Sequence, residues 1–288
     1  MRVVAPAKLN LCLRIVGKRP DGFHLLQSLV MFAEAGDTLE IAPAHDLTLE
    51  LQGVFAAGLK QDSADNLVLR AAKALQARHG ITKGAKLRLD KNLPIGAGFG
   101  GGSSDAAAAL KALCQFWEIK ASLAELEAIA EELGSDVKSC LRASSLWMEG
   151  VGEELSAVNV AFPIWVVLVH PRKPLLTADV YRAFKPPFAT KQTLPPKIAN
   201  WKALLALADA MPNALQAPAL GLMAEIAQVL DVIGKTDACK LARMSGSGAG
   251  CFGLYDNEMA AKTAATYIAS KQPNWWCIAS SLRTNHEA

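Results

Sequence analysis

The chain has 288 residues, 51% of them hydrophobic and 20% charged, enough to bury a substantial core in one large domain or two smaller ones. Thirty basic residues against 27 acidic leave a formal charge of +3, too balanced for a nucleic-acid or membrane-surface protein but compatible with an anionic small molecule. Six cysteines without C-x-x-C spacing or clustered histidines argue against a zinc site and read as small buried hydrophobes of a reducing compartment. No apolar run reaches the roughly 18 residues of a membrane span. The first residues lack the charged-then-apolar pattern of a leader. A cytoplasmic protein without nucleic-acid or membrane partners, monomeric or weakly dimeric, is expected.

Val3 to Val16 reads as a strand pair or one bent strand around Pro6. Lys8 and Asn10 share one of its faces, Leu9 and Leu11 the other; on spacing alone the first is a solvent face and the second a core face. Gly17 to His24 is a basic turn rich in breakers, in which His24 by itself reads as structural. Leu25–Phe32, Asp37–Ile41 and Leu47–Leu51 read as strands. Asp65 or Asn66 caps a helix whose apolar stripe at 67, 68, 71, 72 and 75 is its buried face. Lys86–Asp90 alternates as a strand and feeds a glycine-rich loop.

That loop organises the chain. Between Leu93 and Ala109 stand Gly96, Gly98, Gly100, Gly101 and Gly102, then Ser103, Ser104, Asp105 and four alanines. Glycine at this density suits sharp turns and close approach, not helix or strand. Ser103, Ser104 and Asp105 are N-cap types, and the alanines form helix readily. Strand, glycine loop and helix N-terminus together aim backbone N–H groups and the positive end of a helix dipole at one spot, which is a phosphate site. Gly96-x-Gly98-x-x-Gly101 also matches the dinucleotide fingerprint, but no acidic residue closes a second strand about twenty residues later. No Lys-Ser or Lys-Thr follows the glycines, so the Walker pattern fails.

Ser122 and Glu125 form a capping box for a helix that ends near Leu133-Gly134. Ser135-Asp136-Val137 opens the next segment, and by spacing alone Asp136 is an N-cap. Gly150-Val151-Gly152-Glu153 is a turn near a domain boundary. Trp165–His170 reads as a buried strand. Pro163, Pro171, Pro174, Pro186, Pro187, Pro195 and Pro196 then suggest a long irregular connection. Leu215–Leu230 reads as one amphipathic helix. Leu241–Met244 leads into a second glycine cluster, Ser245-Gly246-Ser247-Gly248-Ala249-Gly250, followed by a strand at Cys251–Tyr255, a helix at Glu258–Lys271 and a strand at Trp275–Ser280. The whole is α+β.

Three stretches, Pro6-Ala7-Lys8-Leu9-Asn10-Leu11, Pro94 to Ser104 and Ser245-Gly246-Ser247-Gly248, resemble in order the three motifs of the galactokinase, homoserine kinase, mevalonate kinase and phosphomevalonate kinase (GHMP kinase) superfamily. Arg19-Pro20-Asp21-Gly22-Phe23-His24, Asp65-Asn66-Leu67, Leu133-Gly134-Ser135-Asp136-Val137 and Gly150-Val151-Gly152-Glu153 are similar to the branch that phosphorylates a cytidine-diphosphate sugar alcohol in the non-mevalonate route to isoprenoid precursors. The resemblance implies a two-domain GHMP kinase fold: an N-terminal ribosomal-protein-S5-like ATP-binding domain, residues 1–156, and a C-terminal α/β-sandwich substrate domain, residues 157–288. It implies ATP and Mg²⁺, with no residue assigned to the metal.

It implies that Lys8 and Asp136 are the catalytic pair, and that Pro94, Ile95, Gly96, Ala97, Gly98, Phe99, Gly100, Gly101, Gly102, Ser103 and Ser104 cradle the nucleotide's phosphates. Asn66 and Lys91 would lie near the nucleotide. Asn10 would touch the substrate near the reacting hydroxyl, and Phe23 and His24 would meet the cytosine, with Tyr181 stacked on its other side. Two positions depart from the pattern. Lys138-Ser139-Cys140 stands where a proline and an apolar run are usual, and Phe23 where tyrosine is usual. The competing readings are a family member acting on a small amino alcohol, an inert nucleotide-binding relative, against which Lys8 and Asp136 both argue, and a dinucleotide oxidoreductase.

Overall fold

The computed structural model describes residues 1–59, 65–193 and 196–284. Pro195 lies outside them. The elements run in chain order as β1 (Arg2–Asn10), β2 (Arg14–Lys18), β3 (His24–Ala42), β4 (Leu47–Gln52), α1 (Leu67–His79), β5 (Ala85–Asp90), α2 (Gly101–Phe116), α3 (Leu123–Leu133), α4 (Val137–Arg142), β6 (Leu146–Gly150), β7 (Glu154–Ala157) and β8 (Asn159–Val160). There follow β9 (Trp165–His170), α5 (Thr177–Ala183), β10 (Lys197–Ile198), α6 (Trp201–Ala210), α7 (Gln216–Leu222), α8 (Glu225–Gly234), β11 (Leu241–Met244), β12 (Cys251–Tyr255), α9 (Glu258–Lys271) and β13 (Trp276–Ser281).

The chain divides into two compact units that do not follow a single cut. One comprises Met1–Ala7, Gly36–Ile95 and Gly100–Arg142; the other comprises Lys8–Ala35, Gly96–Phe99 and Ala143–Ala288. In the first, β4 pairs in parallel with β5, and β5 pairs antiparallel with residues 38–42 of β3. Helices α1 to α4 pack on one another through Val68, Ala71, Ala72 and Leu75 of α1 and the alanine-rich face of α2. Small residues let two helices approach closely, which is why the run after the glycine loop is alanine and not leucine. Asn66 caps α1 by accepting from Val68 N–H at 2.9 Å, and the Ser122–Glu125 capping box of α3 is present on both sides.

In the second unit, residues 24–30 of β3 pair antiparallel with β2 and β6, and β6 with β7. An antiparallel sheet in the order β11–β12–β9–β13 forms a second core. Its central strands carry Val166 to Val169 and Cys251 to Tyr255, all fully buried or nearly so, with α8 and α9 packed against them. Continuous burial of that kind is what an unbroken Val/Leu run demands. All six cysteines are free, and four are buried.

Several expectations need correction. Lys8 and Asn10 do not face solvent: both are 3% exposed, as buried as Leu9 and Leu11, because β1 is covered on both faces. The two strands expected across Leu25–Ile41 are one strand of 19 residues. Gly36 made the pattern look broken, yet it serves close approach, since a Cβ there would overlap the Ala5 carbonyl. Leu215–Leu230 is two helices, parted at an extended Met223 (φ −144°, ψ 96°) two residues after the helix-weakening Gly221. The proline-rich connection holds α5 and α6, the latter capped by Asn200 through the Ala203 amide.

Candidate active site

The glycine loop is anchored by alternate residues. Ala97 and Phe99 are 3% and 1% exposed, whereas Ile95, Gly96 and Gly102 are open to solvent. Gly96, Gly98 and Gly100 all have positive φ, at 65°, 74° and 62°. Such alternation curls successive N–H groups toward one side, the geometry of an anion nest. At Gly98 the requirement is double, because a Cβ would also overlap the Ser245 carbonyl. Helix α2 begins at Gly101 with Gly100 as its N-cap, and no side chain caps it. This corrects the expectation for Ser103, Ser104 and Asp105, which lie inside the first turns. Ser104 and Asp105 are drawn to tertiary partners instead: the Ser104 hydroxyl donates to the Pro6 carbonyl at 2.7 Å, and Asp105 accepts from the Lys91 ammonium at 2.6 Å. The amides of a first helical turn have no partner within the helix and so are available to a ligand.

Lys91, expected beside the nucleotide, has its ammonium buried between Asp37 and Asp105. Burial alone would lower its pKa, but the two carboxylates outweigh that and raise it. Burial pushes Asp105 up to about 8 against the opposing pull of Lys91, with Asp37 adding to the rise. At neutral pH Asp105 therefore keeps its proton. Asn66, also expected near the nucleotide, spends its side-chain oxygen on the α1 cap.

Asp136 precedes α4 in the first unit, half-buried, and its carbonyl accepts from Cys140 N–H at 3.1 Å and Ser139 Oγ at 2.8 Å. The unusual Lys138 is turned to the glutamates of α3, at 2.5 Å from Glu131 and 4.0 Å from Glu127. Its charge is thus largely compensated.

Lys8 belongs to the second unit, where its N–H donates to the Phe99 carbonyl at 2.8 Å. Two residues on, Asn10 donates from Nδ2 to Ser28 Oγ at 2.8 Å and from its backbone to Ser245 Oγ at 3.2 Å. Ser245 in turn donates to the Gly98 carbonyl at 2.9 Å, and Gly250 N–H to Ala97 at 2.9 Å. The first motif therefore meets Phe99 of the second directly, and the third meets Ala97 and Gly98. Asn213, which the sequence reading missed, locks this assembly: its Nδ2 donates to the carbonyls of Met244 and Gly246 at 2.9 and 2.8 Å. Its only sequence signal is an Asn after Pro212 at the mouth of a helix, which reads as an ordinary cap.

His24 and Tyr181, expected on opposite faces of a cytosine, stack directly on each other with ring centroids 5.3 Å apart, and Phe184 lies edge-on to His24 at 5.8 Å. Phe23, next to His24 in the chain, is 64% exposed. Burial, then the nearby Lys18, lowers the His24 pKa, so the imidazole is neutral at pH 7 and can both donate and accept. Among the described residues no group of three or more His, Cys, Asp or Glu side chains could hold a metal ion, and no helix is long and apolar enough to cross a membrane.

Comparison with known proteins bears on all of this. Residues 66–143 match the GHMP kinases N terminal domain and residues 197–274 the GHMP kinases C terminal domain. The chain is 45% identical over 282 residues to 4-diphosphocytidyl-2-C-methyl-D-erythritol kinase of Paramagnetospirillum magneticum, covering 97% of this chain and 98% of the relative. It is 45% identical over 275 residues to the protein of that name from Parvibaculum lavamentivorans, covering 94% of each. A crystal structure of 4-(cytidine 5'-diphospho)-2C-methyl-D-erythritol kinase superposes with a TM-score of 0.81 at 32% identity, covering 99% of this chain and 100% of the other. Homoserine kinase from Cytophaga hutchinsonii, at 17% identity and TM-score 0.69 over 100% and 95% of the two chains, shares the fold.

Proposed function

Because the chain belongs to the GHMP kinase family and is therefore an ATP-dependent small-molecule kinase, we propose that it phosphorylates the 2-hydroxyl of 4-diphosphocytidyl-2-C-methyl-D-erythritol, giving the 2-phosphate and ADP in the non-mevalonate route to isoprenoid precursors. The observation that carries this reading is the 45% identity over 97% of the chain to a relative of that name. The family segments fall on either side of residue 156, which supports 1–156 as the ATP-binding domain and 157–288 as the substrate domain.

In this reading residues 94–104 cradle the triphosphate with backbone amides. The positive φ of alternate glycines and the exposed backbone of Gly96 and Gly102 support that role. Asp136 accepts the proton as the substrate oxygen attacks the γ-phosphorus, and the bond to the bridging oxygen of ADP breaks. Lys8, the other member of the catalytic pair, lowers the pKa of the substrate hydroxyl. Asn10 sits at the reacting end of the substrate. Phe23 and His24 meet the cytosine, whose other face stacks on Tyr181, so the His24 and Tyr181 rings part to admit it. Mg²⁺ would arrive with the nucleotide, and no residue of this chain is assigned to it. It would neutralise the phosphate charge during transfer.

The test is ATP consumption over a panel of the cytidyl sugar alcohol, homoserine, mevalonate and galactose. The cytidyl compound should exceed the others in kcat/KM by at least about a hundredfold, the scale on which a polar recognition site rejects analogues that leave it unpaired. Comparable turnover of homoserine would overturn the choice of substrate.

A further inference from the structure

The residues on both sides of the glycine loop are tied to one buried aspartate, those before it directly and Asp105 after it through Lys91. Asp37, in β3, is fully buried. Its Oδ1 accepts the amides of Asn92 at 2.6 Å and Leu93 at 2.8 Å, immediately before Pro94. Its Oδ2 accepts the Lys91 ammonium, which donates also to Asp105 Oδ2 at 2.6 Å. Asp105 is the residue immediately after Ser104. All belong to the first unit. The cluster lies under the first turn of α2, since a Cβ at Gly101 would stand 3.4 Å from Asp37 Oδ2 and 3.5 Å from Lys91 Nζ.

Stability does not account for such a cluster. Buried ion pairs are commonly replaced by apolar groups at no cost, because desolvation cancels their attraction. Here one carboxylate oxygen, Asp105 Oδ1, is buried without a hydrogen-bond partner, a further cost that better packing would avoid. What charged groups give that apolar ones do not is direction: each hydrogen bond fixes an angle as well as a distance.

We propose that Asp37, Lys91 and Asp105 form a positioning cluster that holds the two ends of the phosphate loop in register, and that Lys91 acts on nucleotide affinity through these carboxylates without touching the nucleotide. This rests on the reading of residues 94–104 as the triphosphate cradle. A loosened cluster weakens the grip on the β- and γ-phosphates and leaves the rest of the nucleotide untouched. A lysine in contact with the base or ribose would, when removed, weaken AMP and ATP alike.

The experiment is titration calorimetry of AMP and a non-hydrolysable ATP analogue against the intact protein, Asp105→Leu, Lys91→Met, the double variant and Asp105→Asn. Asp105→Leu keeps the Lys91–Asp37 pair electrically balanced, so it is the variant expected to fold normally; circular dichroism and thermal melting check each protein. Asp105→Leu and Lys91→Met should each raise the Kd of the triphosphate analogue by about tenfold or more, the cost of sub-ångström misplacement, while AMP shifts less than about twofold. The double variant should be no worse than the weaker single, as for residues acting as one unit. Asp105→Asn should recover most of the affinity, because its amide oxygen can accept from Lys91 where Asp105 Oδ2 does, without adding a charge. Equal losses for AMP and the analogue in Lys91→Met, with Asp105→Leu normal, would overturn the proposal. So would folded variants that all bind like the parent; and should Lys91→Met not fold, Asp105→Leu and the double variant decide between these outcomes. Failure of the parent itself to bind the triphosphate analogue would instead remove the cradle reading.

Discussion

At Asp136 a cap and a general base respond differently to one substitution. Asparagine caps a helix as well as aspartate does, but it cannot accept the substrate's proton. Asp136→Asn should therefore lower kcat by at least about a hundredfold with KM for ATP nearly unchanged and thermal stability preserved. Steady-state kinetics beside a melting curve decides it; a near-normal kcat returns Asp136 to a purely capping role. The residue scale is also where the sequence was hardest to read. Lys8 and Asn10 sit at strand spacing that ordinarily marks a wet face, and nothing local says that β1 is covered on both sides. Only their matching to a known motif pointed to function. Asn213 lacked even that, because its job is to hold carbonyls 31 and 33 residues away, which no local pattern encodes. Lys138 drew notice as a charge near the proposed base, and the glutamates that answer it lie one helix back.

Among the elements, α2 joins a legible sequence to an illegible consequence. The glycines, the following alanines and a helix ending near Trp117 are plain from composition and propensity. That Asp105 would be buried and would leave the capping role is not, because its partners lie 14 and 68 residues earlier. Its pKa, raised from 3.8 to about 8, has a measurable effect. Between these values the folded chain holds a proton that the unfolded chain has released, so Asp105's contribution to stability falls as pH rises from about 4 to about 8, and is level beyond. The charged groups facing it are Asp37 from β3 and Lys91 after β5. Asp105→Asn has no such proton to lose. The difference in Tm between variant and parent should move in the variant's favour across that window by about 2–4 °C or more, the shift expected from 1 kcal/mol in a domain of 150–250 residues. A difference that stays constant from pH 4 to 8 would show that Asp105 titrates normally. Elsewhere the short-range signals served well, as in the capping box of α3 and the whole of α9. They failed where a break had no proline to announce it, at Met223, and where prolines hid the cap of α6.

At the scale of the whole molecule, the family segments in the sequence and the compact units in space partition the chain differently. Motifs are read along the chain, so they suggest a cut near 156; compactness depends on which residues pack, and it assigns residues 8–35 and 96–99 to the unit that carries the C-terminus. Such an assignment is invisible to periodicity, because it depends on pairings such as Arg243 Nη1 with the Leu11 carbonyl and Asn10 N–H with Ser245 Oγ, 232 and 235 residues apart. Those pairings have a consequence for birth on the ribosome. At 5–20 residues per second, the apolar stretch from Leu9 to Ile15 must wait roughly 10–50 s for Ser245 to be made. During that time Leu9, Leu11, Leu13 and Ile15, each at most 2% exposed in the finished fold, have no C-terminal cover. Nascent chains arrested at increasing lengths and pulsed with protease should stay cleavable within residues 8–18 until β12 has left the exit tunnel. Protection gained by chains that stop near residue 200 would show that the early strands find shelter sooner. Otherwise the newborn N-terminus is a natural client for a holding chaperone, and slowing translation upstream of codon 245 should lower the yield of soluble protein.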